Sequence, residues 1–197
     1  MSEGRGEGGI WLDTVEAKLV ARALRRTAPG VAAVQLTREQ ALAGRAAVAA
    51  KFLAVGTPRT FGLAGTGDLA PMLLAAQRAY AAPRELRVFE AVPVEAARVA
   101  SEVGGRVVSL SEACACDIVV VGGGISVRRE WIRGGTLVTV LDASVVLDPT
   151  LLSAAQVYGD RVPDDAPDVR LVASLGAVAA GLVDGRTLDE IIVLLAS

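Results

Sequence analysis

The sequence predicts an α/β protein built on a doubly wound parallel sheet, with a small N-terminal helical or mixed appendage. Three observations predict it. From residue 59 onward, short all-apolar runs alternate with helical stretches, the pattern of a parallel sheet covered on both faces. The turn Gly65-Thr66-Gly67-Asp68-Leu69-Ala70 joins the first apolar run to the helix after it. A second apolar run ends on Glu90, about twenty residues further on, the spacing of a Rossmann-like dinucleotide-binding unit.

Each element has its own signal. Met1–Gly9 is rich in glycine and charge and reads as a disordered tail. After Trp11, the apolar positions Leu12, Val15, Leu19 and Ala23 suit one face of a helix, capped by Asp13 or Thr14. A strand through Ala17–Ala23 is the competing reading. Ala28-Pro29-Gly30 breaks that segment. Thr37-Arg38-Glu39-Gln40 is a capping box, in which the Thr and Gln side chains satisfy each other's backbone donors. It predicts a helix from about Arg38 to Leu53, ended by Gly56 and Pro58. Residues 10–56 therefore form the appendage, and 57–197 the dinucleotide-type unit.

Within that unit Thr60–Ala64, Leu86–Glu90, Arg106–Ser109, Asp117–Val121 and Thr136–Asp142 read as strands. Asp68–Tyr80 and Val94–Val103 read as helices, and Leu110–Cys116 and Val127–Arg133 as short helical connections. Asp148-Pro149 is an N-cap followed by proline at the first helical position, which predicts a helix over Pro149–Ala155. Gln156–Gly159 fits a last strand, and Asp160–Asp168 a surface loop. Leu175–Leu182 and Leu188–Leu195 complete the chain.

Composition narrows the chemistry. The 197 residues include 18 arginines, two lysines (Lys18 and Lys51) and no histidine. Without imidazole there is no Ser-His-Asp triad, no Cys-His pair and no histidine metal ligand. A net charge of -2 gives no basic footprint for nucleic acid. The longest apolar runs, Ile118–Val121 and Ile191–Ala196, are far too short to span a membrane. The polar start is unlike a secretory signal, and Cys114 and Cys116 are too few for a disulfide framework. A soluble cytoplasmic protein is expected, with no metal.

The glycine turn carries the most specific chemistry. Gly65 allows the tight bend, and Gly67 lets a pyrophosphate approach the backbone. Ala70 lets the helix pack closely on the sheet, and the helix start is electropositive. Thr66, Asp68 and Leu69 complete the turn. Glu90 would accept hydrogen bonds from ribose hydroxyls and repel a 2′-phosphate, which favours NAD over NADP. Gly122-Gly123-Gly124 ends the fourth strand, where a nicotinamide ribose would need close approach. Ser126 either contacts a ligand or caps the next helix. The alternative is a tight turn that binds no nucleotide, with an acid at Asp68 set against phosphate.

Three segments resemble the ornithine cyclodeaminase/mu-crystallin family. They are Ala41-Leu42-Ala43-Gly44-Arg45-Ala46-Ala47 with Ala50-Lys51-Phe52-Leu53-Ala54; Phe61–Ala70 with its Gly-Thr-Gly turn; and Ser174–Gly181 followed by Gly185-Arg186-Thr187-Leu188-Asp189-Glu190-Ile191. The resemblance implies an NAD(P)-dependent enzyme acting on an amino acid or an imine derived from one. It further implies that Arg45 grips the substrate carboxylate, as a guanidinium can do bidentately, the alternative being a surface arginine on an Ala-rich helix, and that an aspartate after the fifth strand handles protons; Asp142 either replaces that acid or caps the strand end.

Departures from the family pattern point the other way. Ala46 stands where the family has threonine, and Lys18 is the only lysine upstream of Arg45, at a spacing that suits solvent better than catalysis. The loop after the fifth strand is shorter than the family's and lacks its Pro-Gly. Relatives are longer at both ends. The expectation is a truncated relative, either non-catalytic or dependent on a partner subunit. The alternative is an NAD-dependent amino-acid dehydrogenase, imine reductase or cyclodeaminase. A homodimer or a subunit of a hetero-complex is expected, with an amino-acid ligand, and the Ala-rich helix Gln40–Leu53 as a contact face.

Overall fold

The computed structural model describes residues 14–24, 36–160, 169–186 and 190–196. Met1–Gly9, Asp13, Ala28–Gly30 and most of the loop expected over Asp160–Asp168 lie outside these residues. The chain starts with helix α1 (Thr14–Leu24) and helix α2 (Arg38–Leu53), so the helical reading of the first segment holds over the strand. The Thr37 capping box forms. Thr37 Oγ1 accepts from the Gln40 N–H at 3.2 Å, and Gln40 Oε1 accepts from the Thr37 N–H at 3.0 Å.

Seven strands form one parallel sheet: β1 (Thr60–Ala64), β2 (Glu85–Phe89), β3 (Arg106–Val107), β4 (Ile118–Val121), β6 (Leu137–Val140), β8 (Ala155–Gly159) and β9 (Ile191–Leu195). Their order across the sheet is β3-β2-β1-β4-β6-β9-β8. Two short strands, β5 (Ser126–Val127) and β7 (Val146–Leu147), pair separately. The helices between strands are α3 (Ala70–Gln77), α4 (Pro93–Val103), α5 (Leu110–Cys114), α6 (Pro149–Ala154) and α7 (Leu175–Ala179). Strand order runs outward in opposite directions from β1 and β4. Such a reversal opens a crevice at the carboxyl ends of those two strands.

The sheet is buried on both faces because its strands are apolar at successive positions. Phe61, Leu63, Ile118, Val120, Leu137, Ile192 and Leu194 enter one cluster beneath α1, α2, α3, α4 and α7. The alternate residues Val119, Val121, Val138, Val140, Val193 and Leu195 enter a second cluster with α5 and α6. With few aromatics, close approach replaces bulk. A Cβ on Gly62 would lie 2.1 Å from the Ala113 carbonyl oxygen, so β1 and α5 meet almost backbone to backbone.

Three segments depart from the sequence reading or settle what it left open. Helix α1 buries Glu16, Val20, Ala23 and Leu24, while Val15 is 38% exposed. Its buried face is rotated from the predicted one because Glu16 finds an internal cationic partner, described below. The stretch Val127–Arg133 is not a helix but strand β5 and one 3-10 turn over Arg129–Trp131. Val127, buried and β-branched, pairs with Leu147 instead. Ile191–Leu195, to which the sequence assigned no state, is a central strand between β6 and β8.

The Ala-rich helix is interior and offers no partner face. Ala41–Ala50 and Leu53 are all buried, and α1, α3, α7 and β6 pack around them. A Cβ on Gly44 would lie 2.3 Å from Val20 Cγ1, so small residues there admit α1. Arg186 anchors the carboxyl end of α2, donating from Nη1 to the Leu53 carbonyl at 2.9 Å.

Candidate dinucleotide site

The crevice between β1 and β4 holds a cleft of about 240 Å³, lined by Arg38, Glu39, Leu42, Gly65, Thr66, Leu69, Gly122, Leu141 and Asp142. Three structural pieces meet there: the glycine turn after β1, the carboxyl ends of β4 and β6, and the amino end of α2. Gly65 adopts φ +65°, and a Cβ there would lie 2.4 Å from the Gly122 carbonyl oxygen. The two glycine turns therefore touch through bare backbone. Gly67 also has positive φ, and a Cβ on it would meet nothing within 4 Å, so its backbone faces open space as close approach of a pyrophosphate requires.

Glu90, which follows β2, reaches across the turn. Its Oε1 accepts from the Thr66 N–H at 3.0 Å and from the Gly67 N–H at 2.9 Å. These bonds fix the carboxylate beside the turn, the place from which an acid meets ribose hydroxyls in this type of fold. Thr66 is only 7% exposed. Its hydroxyl finds no hydrogen-bond partner among the described residues, so its hydrogen-bonding capacity is not spent within the protein. Asp68 turns outward instead. Its carboxylate is 2.7 Å from Arg98 Nη2, in a surface network with Glu95 and Glu102. The expected conflict between Asp68 and phosphate is thereby relieved. Leu69 lines the cleft, and Ala70 is fully buried where α3 begins.

Asp142 stands at the carboxyl end of β6. Oδ2 accepts from the Gly123 N–H at 3.1 Å, while Oδ1 accepts from the Ser144 N–H at 2.9 Å and from the Ser144 hydroxyl. Ser144 Oγ in turn accepts from the Gly124 N–H at 2.8 Å. Burial pushes the Asp142 carboxyl up. The Ser144 hydroxyl, the Gly123 and Ser144 N–H groups and the Arg38 charge outweigh it and hold the group below the usual carboxylate range. At neutral pH Asp142 is an anion, able to accept a proton or hold a cation but not to donate a proton. Ser126 is exposed in β5 and is not part of the cleft lining.

Arg45 is not in the cleft lining either. It lies on α2 beyond Leu42 and is 1% exposed. Its Nε is 2.7 Å from Glu16 Oε1, its Nη2 donates to Asp160 Oδ2 at 2.6 Å, and its Nη1 donates to the Ala196 carbonyl at 3.1 Å. The guanidinium therefore joins α1, α2 and the carboxyl ends of β8 and β9. Lys18 is exposed on α1. Cys114 and Cys116 are buried, and burial pushes their thiols up to about 12 and about 11, so neither is a thiolate nucleophile at neutral pH.

Sequence reasoning missed Arg38, Ser144, Glu16 and Asp160. Two signals were present. Arg38 follows the predicted N-cap, so it had to stand at the mouth of whatever α2 pointed into. Asp142-Ala143-Ser144 has the spacing of a side chain that closes a turn on the backbone two residues on. Nothing local marked Glu16 or Asp160, because the pairs they make span long sequence separations.

The fold has counterparts of known structure. An archaeal alanine dehydrogenase dimer with bound NAD superposes with TM-score 0.70 at 25% identity, covering 81% of this chain and 59% of that one. The Thermococcus litoralis Delta(1)-pyrroline-2-carboxylate reductase, in complex with NADH and L-proline, gives TM-score 0.68 at 19% identity, covering 80% and 59%. The iminosuccinate reductase of Paracoccus denitrificans, in complex with NAD+, gives 0.68 at 22%, covering 80% and 57%. The chain thus spans about three fifths of the length of these structures. No curated protein sequence matches it. Its residues 32–197 match the sequence profile of the ornithine cyclodeaminase/mu-crystallin family. With the fold and that match together, the chain belongs to the ornithine cyclodeaminase/mu-crystallin family.

Proposed function

We propose that the chain is an NAD-binding member of its family that, by itself, binds the dinucleotide without turning over an amino or imino acid. The observation that carries the binding half is the glycine turn at the strand-order reversal, with Glu90 fixed across it and Thr66, whose buried hydroxyl has no partner among the described residues, in the lining of the same cleft. Gly65, Thr66, Gly67, Leu69 and Ala70 would cradle the pyrophosphate side, with Glu90 on the adenosine ribose. Gly122, Gly123 and Asp142 would lie toward the nicotinamide. Bound NADH would supply a hydride. Asp142 would hold a cationic nitrogen near that end.

The non-catalytic half rests on Arg45, whose three side-chain nitrogens are directed at Glu16, Asp160 and the Ala196 carbonyl. An arginine so held grips a substrate carboxylate only by giving up Asp160. A partner subunit supplying substrate-binding groups would restore turnover, and the dimer in the alanine dehydrogenase structure supports an assembled form. Among the described residues no helix is long and apolar enough to cross a membrane.

The second reading is an NAD-dependent amino-acid or imino-acid oxidoreductase, favoured by an ionised Asp142 at the carboxyl end of β6. One experiment separates the two. The pure protein is titrated with NADH and NADPH by nicotinamide fluorescence, then assayed for NADH oxidation with pyruvate plus ammonium and with Delta(1)-pyrroline-2-carboxylate. The expected result is NADH binding about tenfold or more tighter than NADPH, one unfavourable charge contact being worth ~1–3 kcal/mol, and no oxidation of NADH. Turnover with either substrate establishes the second reading, and absence of binding to both nucleotides removes both.

A further inference from the structure

The amino ends of the strands hold a second cavity, of about 330 Å³, whose lining includes Thr57, Arg59, Asp117, Arg133, Gly134 and Gly135. Chain order places them there. Arg59 precedes β1, Asp117 precedes β4, and the turn through Arg133 and Gly135 leads into β6, three strands that are neighbours in the sheet. The cleft described above lies at the opposite, carboxyl edge of the same strands.

The one carboxylate lining this cavity is spent inside the protein. Asp117 Oδ2 accepts from the Arg59 N–H at 2.8 Å and from the Thr60 N–H at 2.9 Å, and Oδ1 lies 3.6 Å from Arg133 Nη2. The two guanidiniums are not used up in the same way. The Arg59 side chain is exposed and makes no hydrogen bond or ion pair among the described residues. Arg133 gives Nη2 to the Ala115 carbonyl at 2.6 Å, while its Nε and Nη1 have no partner among those residues. The Gly134 N–H likewise has no backbone acceptor among them. Behind this wall Arg186 donates to the Leu53 and Thr136 carbonyls at 2.9 Å and 3.3 Å, which offsets the negative carboxyl end of α2. Two guanidiniums around one internally bonded carboxylate leave a recess of net positive charge, rich in donors. Such a recess is complementary to a phosphate dianion, which arginine binds through paired N–H groups.

We propose that this cavity is a binding site for a terminal phosphate group, gripped by Arg59 and Arg133, with the Thr57 hydroxyl and the Gly134 N–H as further donors. The phosphate has two sources, inorganic phosphate and the monoester of a small molecule, and the chemistry at the two arginines is the same for both. The site stands without the dinucleotide reading. NADH carries no terminal phosphate and should leave this cavity empty.

The test follows the amides of Gly134 and Gly135 in the ¹⁵N-labelled full chain. Inorganic phosphate, glycerol 3-phosphate and glycerol are added in turn at constant ionic strength, which removes general screening. Arg59→Met, Arg133→Met and the control Arg170→Met, an exposed arginine beside β8, are titrated alongside. Arg59→Met is the cleanest variant, because its side chain holds nothing else in place. Both phosphates should shift the two amides saturably, and glycerol should not. Loss of a charge-assisted contact should weaken that binding about tenfold or more in Arg59→Met and Arg133→Met, with no change in Arg170→Met. Tighter binding of glycerol 3-phosphate than of phosphate identifies a monoester as the occupant, and the reverse identifies free phosphate; either upholds the site. Shifts that do not saturate, or equal affinities in Arg59→Met and Arg170→Met, overturn it and leave the dinucleotide reading untouched.

Discussion

Replacing Arg45 with methionine is expected to lower stability by about 3–5 kcal/mol, the cost of breaking a buried ion pair from one side. The reason lies in burial on both sides of the contact. Arg45 and Glu16 are each about 1% exposed, so removal of the guanidinium strands a carboxylate inside the protein. The Ala196 carbonyl and Asp160 lose their donor in the same step. For a chain of this size, each kcal/mol corresponds to about 2–4 °C in melting temperature. The double variant Arg45→Met with Glu16→Met should regain much of the loss, because apolar groups of similar volume replace a buried pair at little cost. Thermal unfolding followed by circular dichroism measures both. An arginine whose work is to grip a ligand from a solvent-filled cleft would show almost no change in the unliganded protein.

Gly65→Ala should have the second largest effect, on stability and binding together. The residue would be held in the left-handed region, at about 1–2 kcal/mol for a non-glycine. Its Cβ would also fall 2.4 Å from the Gly122 carbonyl oxygen and 2.7 Å from Ile125 Cγ1, and such overpacking costs about 1–3 kcal/mol. The contact that yields is the one between the two glycine turns, so the cleft opens and NADH binding is lost. Gly67→Ala is the informative comparison. It has the backbone strain but no clash, so it should retain more stability while still obstructing the ligand's approach. Loss of binding in Gly65→Ala with stability unchanged would contradict the packing described here.

The difference between these two sites shows how much of the molecule the sequence reveals. The glycine turn was legible because its chemistry is local: strand, turn, helix and acid follow one another at fixed spacing, and each residue's role can be stated from backbone geometry. Helix α2 was legible in the same way, from the Thr37 and Gln40 cap to its end near Gly56. Arg45 was not. Its fate depends on Glu16, Asp160 and Ala196, which lie 29, 115 and 151 positions away in the chain, and no periodicity reports such a meeting. The resemblance pointed to Arg45 on α2, but a motif does not tell an arginine facing a ligand from one bonded to internal carboxylates. Strand β9 was missed for a related reason. An apolar run of five residues fits a buried strand or a buried helix equally well, and only its place between β6 and β8 decides the matter.

Binding of a dinucleotide at the carboxyl edge of β1 and β4 is the central claim, and amide chemical shifts test it most directly. In a ¹⁵N-labelled protein titrated with NADH, the amides of Gly65, Thr66, Gly67, Gly122 and Gly123 should move together and saturate. The amides of Gly134 and Gly135, which line a second cavity at the amino ends of the strands, should stay in place. Shifts confined to Gly134 and Gly135, or none at the two glycine turns at saturating NADH, would contradict the account.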